Sequence, residues 1–69
     1  MSEPEIEIPP HVRGGVWAND VYVFGDLEEA TLDFVRLEPR DPARGVVVAR
    51  VTVPPSCILK LKRDLERFQ

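Results

Sequence analysis

Hydrophobic and polar positions change their period once along this chain, at Pro54-Pro55. Before that point the spacing is that of strands. Residues 16–24 are rich in β-branched and aromatic side chains and run into Gly25-Asp26, which predicts a first strand and a turn. Residues 30–37 place Ala30, Leu32 and Phe34 on one side by the period of two, and Thr31, Asp33, Val35 and Leu37 on the other, so they predict a hairpin partner. Residues 38–45, with two prolines, a glycine and mixed charge, predict a loop, and residues 46–53 predict a third strand. Beyond Pro54-Pro55, Ile58, Leu61, Leu65 and Phe68 recur at helical spacing among charged residues, predicting a terminal amphipathic helix that Pro55 starts or Ser56 caps. The order β-β-β-α with short connections predicts an α+β fold, a three-stranded antiparallel meander followed by one C-terminal amphipathic helix packed on one face.

The third strand breaks the alternation expected of a sheet with one wet face, because Val46, Val47, Val48 and Ala49 are apolar on both sides. One helix covers only one face. With Val47, Ala49, Val51 and Val53 expected beneath it, Val46 and Val48 are left over and call for a second chain, so a homodimer or higher homo-oligomer is expected. Val46 and Val48, with Leu59 on the helix, are the expected oligomer interface. Size points the same way, since 69 residues lie near the lower limit of what one core stabilises. The chain has one cysteine and one histidine, which excludes an internal disulfide and the ligand spacings of a structural zinc site, leaving a partner chain as the available reinforcement.

Charge separates an arm from a body. Residues 1–14 are expected to form a flexible acidic N-terminal arm, and residues 15–69 a single α+β domain. The first ten residues contain Glu3, Glu5 and Glu7 and no basic side chain, while the rest hold nine basic and nine acidic residues. Pro4, Pro9 and Pro10 withhold backbone donors from the arm, and the Glu5-Ile6-Glu7-Ile8 alternation suits an edge strand formed on a protein partner. Residues 11–15 read as a hinge. The lone thiol and the absence of a signal-peptide pattern or a membrane-length apolar run predict a cytoplasmic protein that does not touch membrane.

Three short pieces in fixed order carry a resemblance: Ala18-Asn19-x-Val21-x-Val23, then Leu32-Asp33-Phe34, then Ala49-Arg50-Val51 running into Val53-Pro54-Pro55 and the helix. Together they are similar to the small bacterial and archaeal family known as domain of unknown function 3467, over residues 15–68. Where that pattern has a Ser-Pro helix start, this chain has Pro54-Pro55. The resemblance implies a small oligomeric α+β fold and supplies no activity.

Candidate chemistry is sparse, and neither an enzyme nor a cofactor is expected. Asp20, Asp26, Glu28, Glu29 and Asp33, beside Asn19, gather carboxylates near the first hairpin, but acid–base work needs a cleft that excludes water, and a three-stranded sheet with one helix has little room for it. Cys57 falls in the first helical turn without a resolving cysteine or nearby histidine, His11 stands alone in the hinge, and Gly14-Gly15 lacks the rest of a phosphate loop. Asp33 and Arg50 are expected to pair across neighbouring strands. Lys60, Lys62, Arg63 and Arg67 supply the alternative reading, a small nucleic-acid-binding protein that uses its basic helix. Asp64 and Glu66 interrupt the patch and the body has no charge excess, so a non-catalytic protein-interaction or assembly module is the reading the sequence favours.

Overall fold

Asp26 fixes the first turn. In the computed structural model, which describes residues 3–68, its carboxylate accepts the backbone N–H groups of Glu28 at 2.8 Å and Glu29 at 3.1 Å, while its own N–H donates to the Glu29 carbonyl at 2.9 Å. These bonds join β1 (Asp20–Gly25) to β2 (Ala30–Glu38). Gly25, at φ +133°, turns the chain out of β1 in a region open to glycine alone. A two-residue turn at Pro39-Arg40, closed by the pairing of Glu38 with Asp41, leads into β3 (Asp41–Val53), and Pro54 and Pro55 then stop the sheet and open α2 (Pro55–Leu65). A short 3₁₀ turn, Glu66–Phe68, ends the described chain. The strands run in the order β1-β2-β3, both pairs antiparallel, so the meander and following helix predicted from the sequence are present.

Three boundaries differ from expectation. β1 begins at Asp20, because β2 offers its last ordinary pairing there, Asp20 with Val35; Val16 and Trp17 lie outside the sheet and exposed. Residues 41–45 belong to β3 and are not loop. β3 is an edge strand, where Pro42 forfeits no ladder bond, and a register shift between Leu37 and Glu38 absorbs the residues around it. The expected hinge holds a single helical turn, α1 (Pro10–Arg13), started by proline and closed by Gly15 at φ +68°. Residues 3–9 form no helix or strand, with Ile6 and Ile8 exposed; Met1 and Ser2, the first residues of the predicted arm, and Gln69 lie outside the described residues.

A β-bulge decides the two faces. β2 pairs Phe34 with Ala49 but Val35 with Val47, so Val48 is an extra residue on β3. Beyond it the parity of β3 is reversed. Val53, Val51 and Ala49 stand opposite Ala30, Leu32 and Phe34, and so does Val46 opposite Arg36, whereas Val47 joins Arg50 and Thr52 on the side of Val35, Asp33 and Thr31. Val47 is therefore not beneath the helix, and Val46 and Val48 do not share the face opposite it as strict alternation requires. Ile58, Leu61 and Leu65 of α2 face Val23 and Leu32, which places the helix on the side of Val51 and Ala49. Contact between helix and sheet is sparse. A groove of about 420 Å³ separates them, and the Cα radius of gyration is 14.7 Å against the roughly 11 Å expected of a compact chain this long.

Candidate interaction surface

On the side of the sheet away from the helix, Tyr22, Phe24, Val35 and Val47 surround polar side chains that occupy one another. Asp33 lies on the central strand and is 7% exposed, a position that needs a partner for its charge. Arg50, directly opposite on β3, supplies it with two parallel bonds, Nε to Oδ1 at 2.6 Å and Nη2 to Oδ2 at 2.8 Å, as the sequence predicts. Those bonds hold the Asp33 carboxyl below its ordinary range against the opposing effect of partial burial, and raise Arg50. The guanidinium also stands 5.9 Å from the centre of the Phe24 ring. Beside the pair, the Thr31 and Thr52 hydroxyls meet at 2.9 Å.

The carboxylates near the first hairpin do not converge. Asp26 is committed to its turn, and the N–H groups of Glu28 and Glu29 lower its pKa. Asp20 accepts the Val21 N–H at 2.8 Å, and its carboxylate raises the Tyr22 hydroxyl above its usual value. Asn19, a residue assigned no structural role by the sequence pattern, bonds the far end of β2: its Oδ1 accepts the Leu37 N–H at 2.7 Å, its backbone N–H donates to Val35 O at 3.0 Å, and Nδ2 reaches Leu37 O at 3.5 Å. The latch secures the start of β1. Among the described residues no three His, Cys, Asp or Glu side chains are grouped so as to hold a metal ion. Cys57 is exposed in the first turn of α2, its N–H bonded to Pro54 O, and His11 lies exposed in the short helical turn.

The basic residues of α2 are spread over different surroundings. Lys60 donates to Asp64 at 2.6 Å, Arg63 Nε is 3.8 Å from the same carboxylate, and Asp64 is held below its ordinary pKa mainly by the Lys60 bond. Lys62 lines the groove beside Glu66, and Arg67 sits in the closing 3₁₀ turn.

The helix-bearing side exposes aliphatic side chains of both sheet and helix. Only Leu32 and Val35 are buried hydrophobics among the described residues, at 7% and 6% exposure. Val21, Val23, Val46, Val51, Leu61 and Leu65 all remain exposed on or above the helix-bearing face. Past the groove, Val21, Phe34 and Ala49 form a cross-strand row. Of the predicted interface residues, Val46 is exposed on this face, Val48 is half-buried at the bulge, and Leu59 is exposed near Leu27 and Pro55 at the start of the helix. No helix among the described residues is long and apolar enough to cross a membrane. No protein-family model, curated protein or solved structure matches this chain, and the resemblance described above rests on the residues that carry it.

Proposed function

We propose that this protein is a non-catalytic, homo-oligomeric interaction or assembly module, of the kind its resemblance to domain of unknown function 3467 implies. The observation that carries the reading is the core: among the described residues two hydrophobic side chains are buried, Leu32 beside a face of exposed valines and leucines and Val35 on the other face. Chains this short draw on further burial beyond a single small core, and here much of the aliphatic surface of the sheet and helix is left in water. A second copy supplies that burial. The exposed acidic segment with Glu3, Glu5 and Glu7 then remains free to meet another protein, and the exposed single thiol suits a reducing cytoplasm.

Sedimentation velocity of the full chain across micromolar concentrations tests the proposal. A dimer or larger assembly is expected, and a folded monomer throughout refutes it. Binding of nucleic acid through α2 is disfavoured by the engagement of Lys60 and Arg63 with Asp64, so RNA or heparin retention that vanishes at physiological salt is the expected behaviour.

A further inference from the structure

We propose that the second copy docks on the helix-bearing side of the sheet, closing the groove between α2 and the strands, with Val21, Val46 and Val51 of the sheet, Leu61 and Leu65 of α2 and Phe68 of the closing 3₁₀ turn at the contact. This rests on the homo-oligomeric reading above and adds to it the surface by which the copies meet. It moves the interface to the face opposite the one that strict alternation in β3 implies, and the bulge at Val48 is the reason: it carries Val46 onto the helix side, while on the other side the exposed Tyr22, Phe24 and Val47 are interleaved with Asp33, Arg50, Thr31 and Thr52, which pair among themselves.

Surface area is in keeping with a second copy as the occupant. The chain exposes 6633 Å², whereas a folded monomer of 7.8 kDa is expected to expose about 4,400 Å². The surplus, roughly 2,200 Å² per chain, is shared between the extended N-terminal segment and the uncovered apolar surface, and half of it from each of two chains matches what an obligate homodimer buries. A self-complementary apolar face fits the symmetry of such a pair, because the same patch serves both subunits. The apolar stripe runs on beyond the groove to Phe68, which is 85% exposed in the single chain.

Two valines on one strand provide a matched test. Val51 and Val47 are 46% and 47% exposed in the single chain and point to opposite faces, so the same substitution costs the isolated subunit about the same at either place. Sedimentation of Val51→Asp is expected to show association weakened about 100-fold or more by an unpaired carboxylate in a dry contact, with Val47→Asp still assembled. The reverse pattern overturns the proposal. If both variants dissociate or fail to fold, isotope-filtered NOEs on a mixed-label sample of the wild-type protein decide: contacts between subunits from Val21, Val51 and Leu61 methyls support the assignment, and contacts only from Val47 or Leu59 overturn it. A wild-type chain that stays monomeric removes the homo-oligomeric reading itself, whereas an assembly joined elsewhere removes only this placement.

Discussion

Gly25→Ala is expected to destabilise the fold by about 2 kcal/mol. At φ +133° a β-carbon built on this residue lies inside van der Waals distance of the Glu29 carbonyl oxygen and 3.0 Å from Ala30 Cα, both backbone atoms that no side-chain rotation can move aside. The Glu29 carbonyl is also the acceptor of the Asp26 N–H, so relief of the clash has to open the turn. Holding an alanine in such a region costs about 1–3 kcal/mol, and the stiffer unfolded chain returns about 0.4–1 kcal/mol of that. With a urea slope of about 1 kcal/mol/M for a small domain, the midpoint falls by about 2 M. The assay is urea unfolding followed by far-UV circular dichroism, wild type and variant at one fixed concentration, because association shifts the midpoint by mass action. Gly14→Ala is the internal control: Gly14 has φ −76° and nothing within 4 Å of the added carbon, so that variant is expected to match the wild type or exceed it slightly. A Gly25→Ala midpoint equal to the wild type, or an equal loss at Gly14, refutes the reasoning.

Leu32→Ala removes one of the two buried aliphatic side chains and is expected to cost about 2–3 kcal/mol, the lower part of the usual range because the site already opens on the groove; loss of cooperative thermal unfolding checks it. Asp33 has a folded pKa below its unfolded value, so its contribution is present above the unfolded pKa of about 3.9 and is lost as pH falls through the lower, folded value. Asp33→Asn is therefore expected to be less stable at neutral pH and to show a shallower loss below about pH 4 than the wild type, read from melting temperatures across an acid series. Asn19→Ala is expected to accelerate amide exchange at Leu37 while Asp33 and Phe34, in the middle of β2, stay protected.

The order of elements was legible because each depends on local chemistry: Asp26 and Gly25 make their turn, and paired prolines end β3 and begin α2 wherever they fall in a chain. The Asp33–Arg50 pair was legible for a similar reason, since opposite charges at complementary positions on adjacent strands need only the hairpin to meet. Residues 38–45 misled because prolines and a glycine carry the same signature in a loop and at an edge strand. The single helical turn at Pro10–Arg13 had its signal in Pro10 before Gly14-Gly15, a start and a stop too close together to stand out from a hinge. What sequence alone did not carry was the phase of β3. Phase is read from alternating chemistry, and Val46, Val47 and Val48 do not alternate.

Three identical side chains in a row also pose a problem for the folding chain, which has to decide which one is supernumerary. Gly45 resolves it. A β-carbon there would stand 2.9 Å from Val35 Cγ1 and 3.0 Å from Leu37 Cδ2, so the slot opposite Leu37 accepts a residue without one. Were the extra residue omitted, Val46 would occupy that slot and its isopropyl group would be driven into the two side chains. The glycine thus acts as an index mark, a missing atom that tells a featureless valine run where to begin counting. Which face receives Val46 and which receives Val47 is in this sense written at a residue with no side chain of its own, through the room it leaves for Val35 and Leu37.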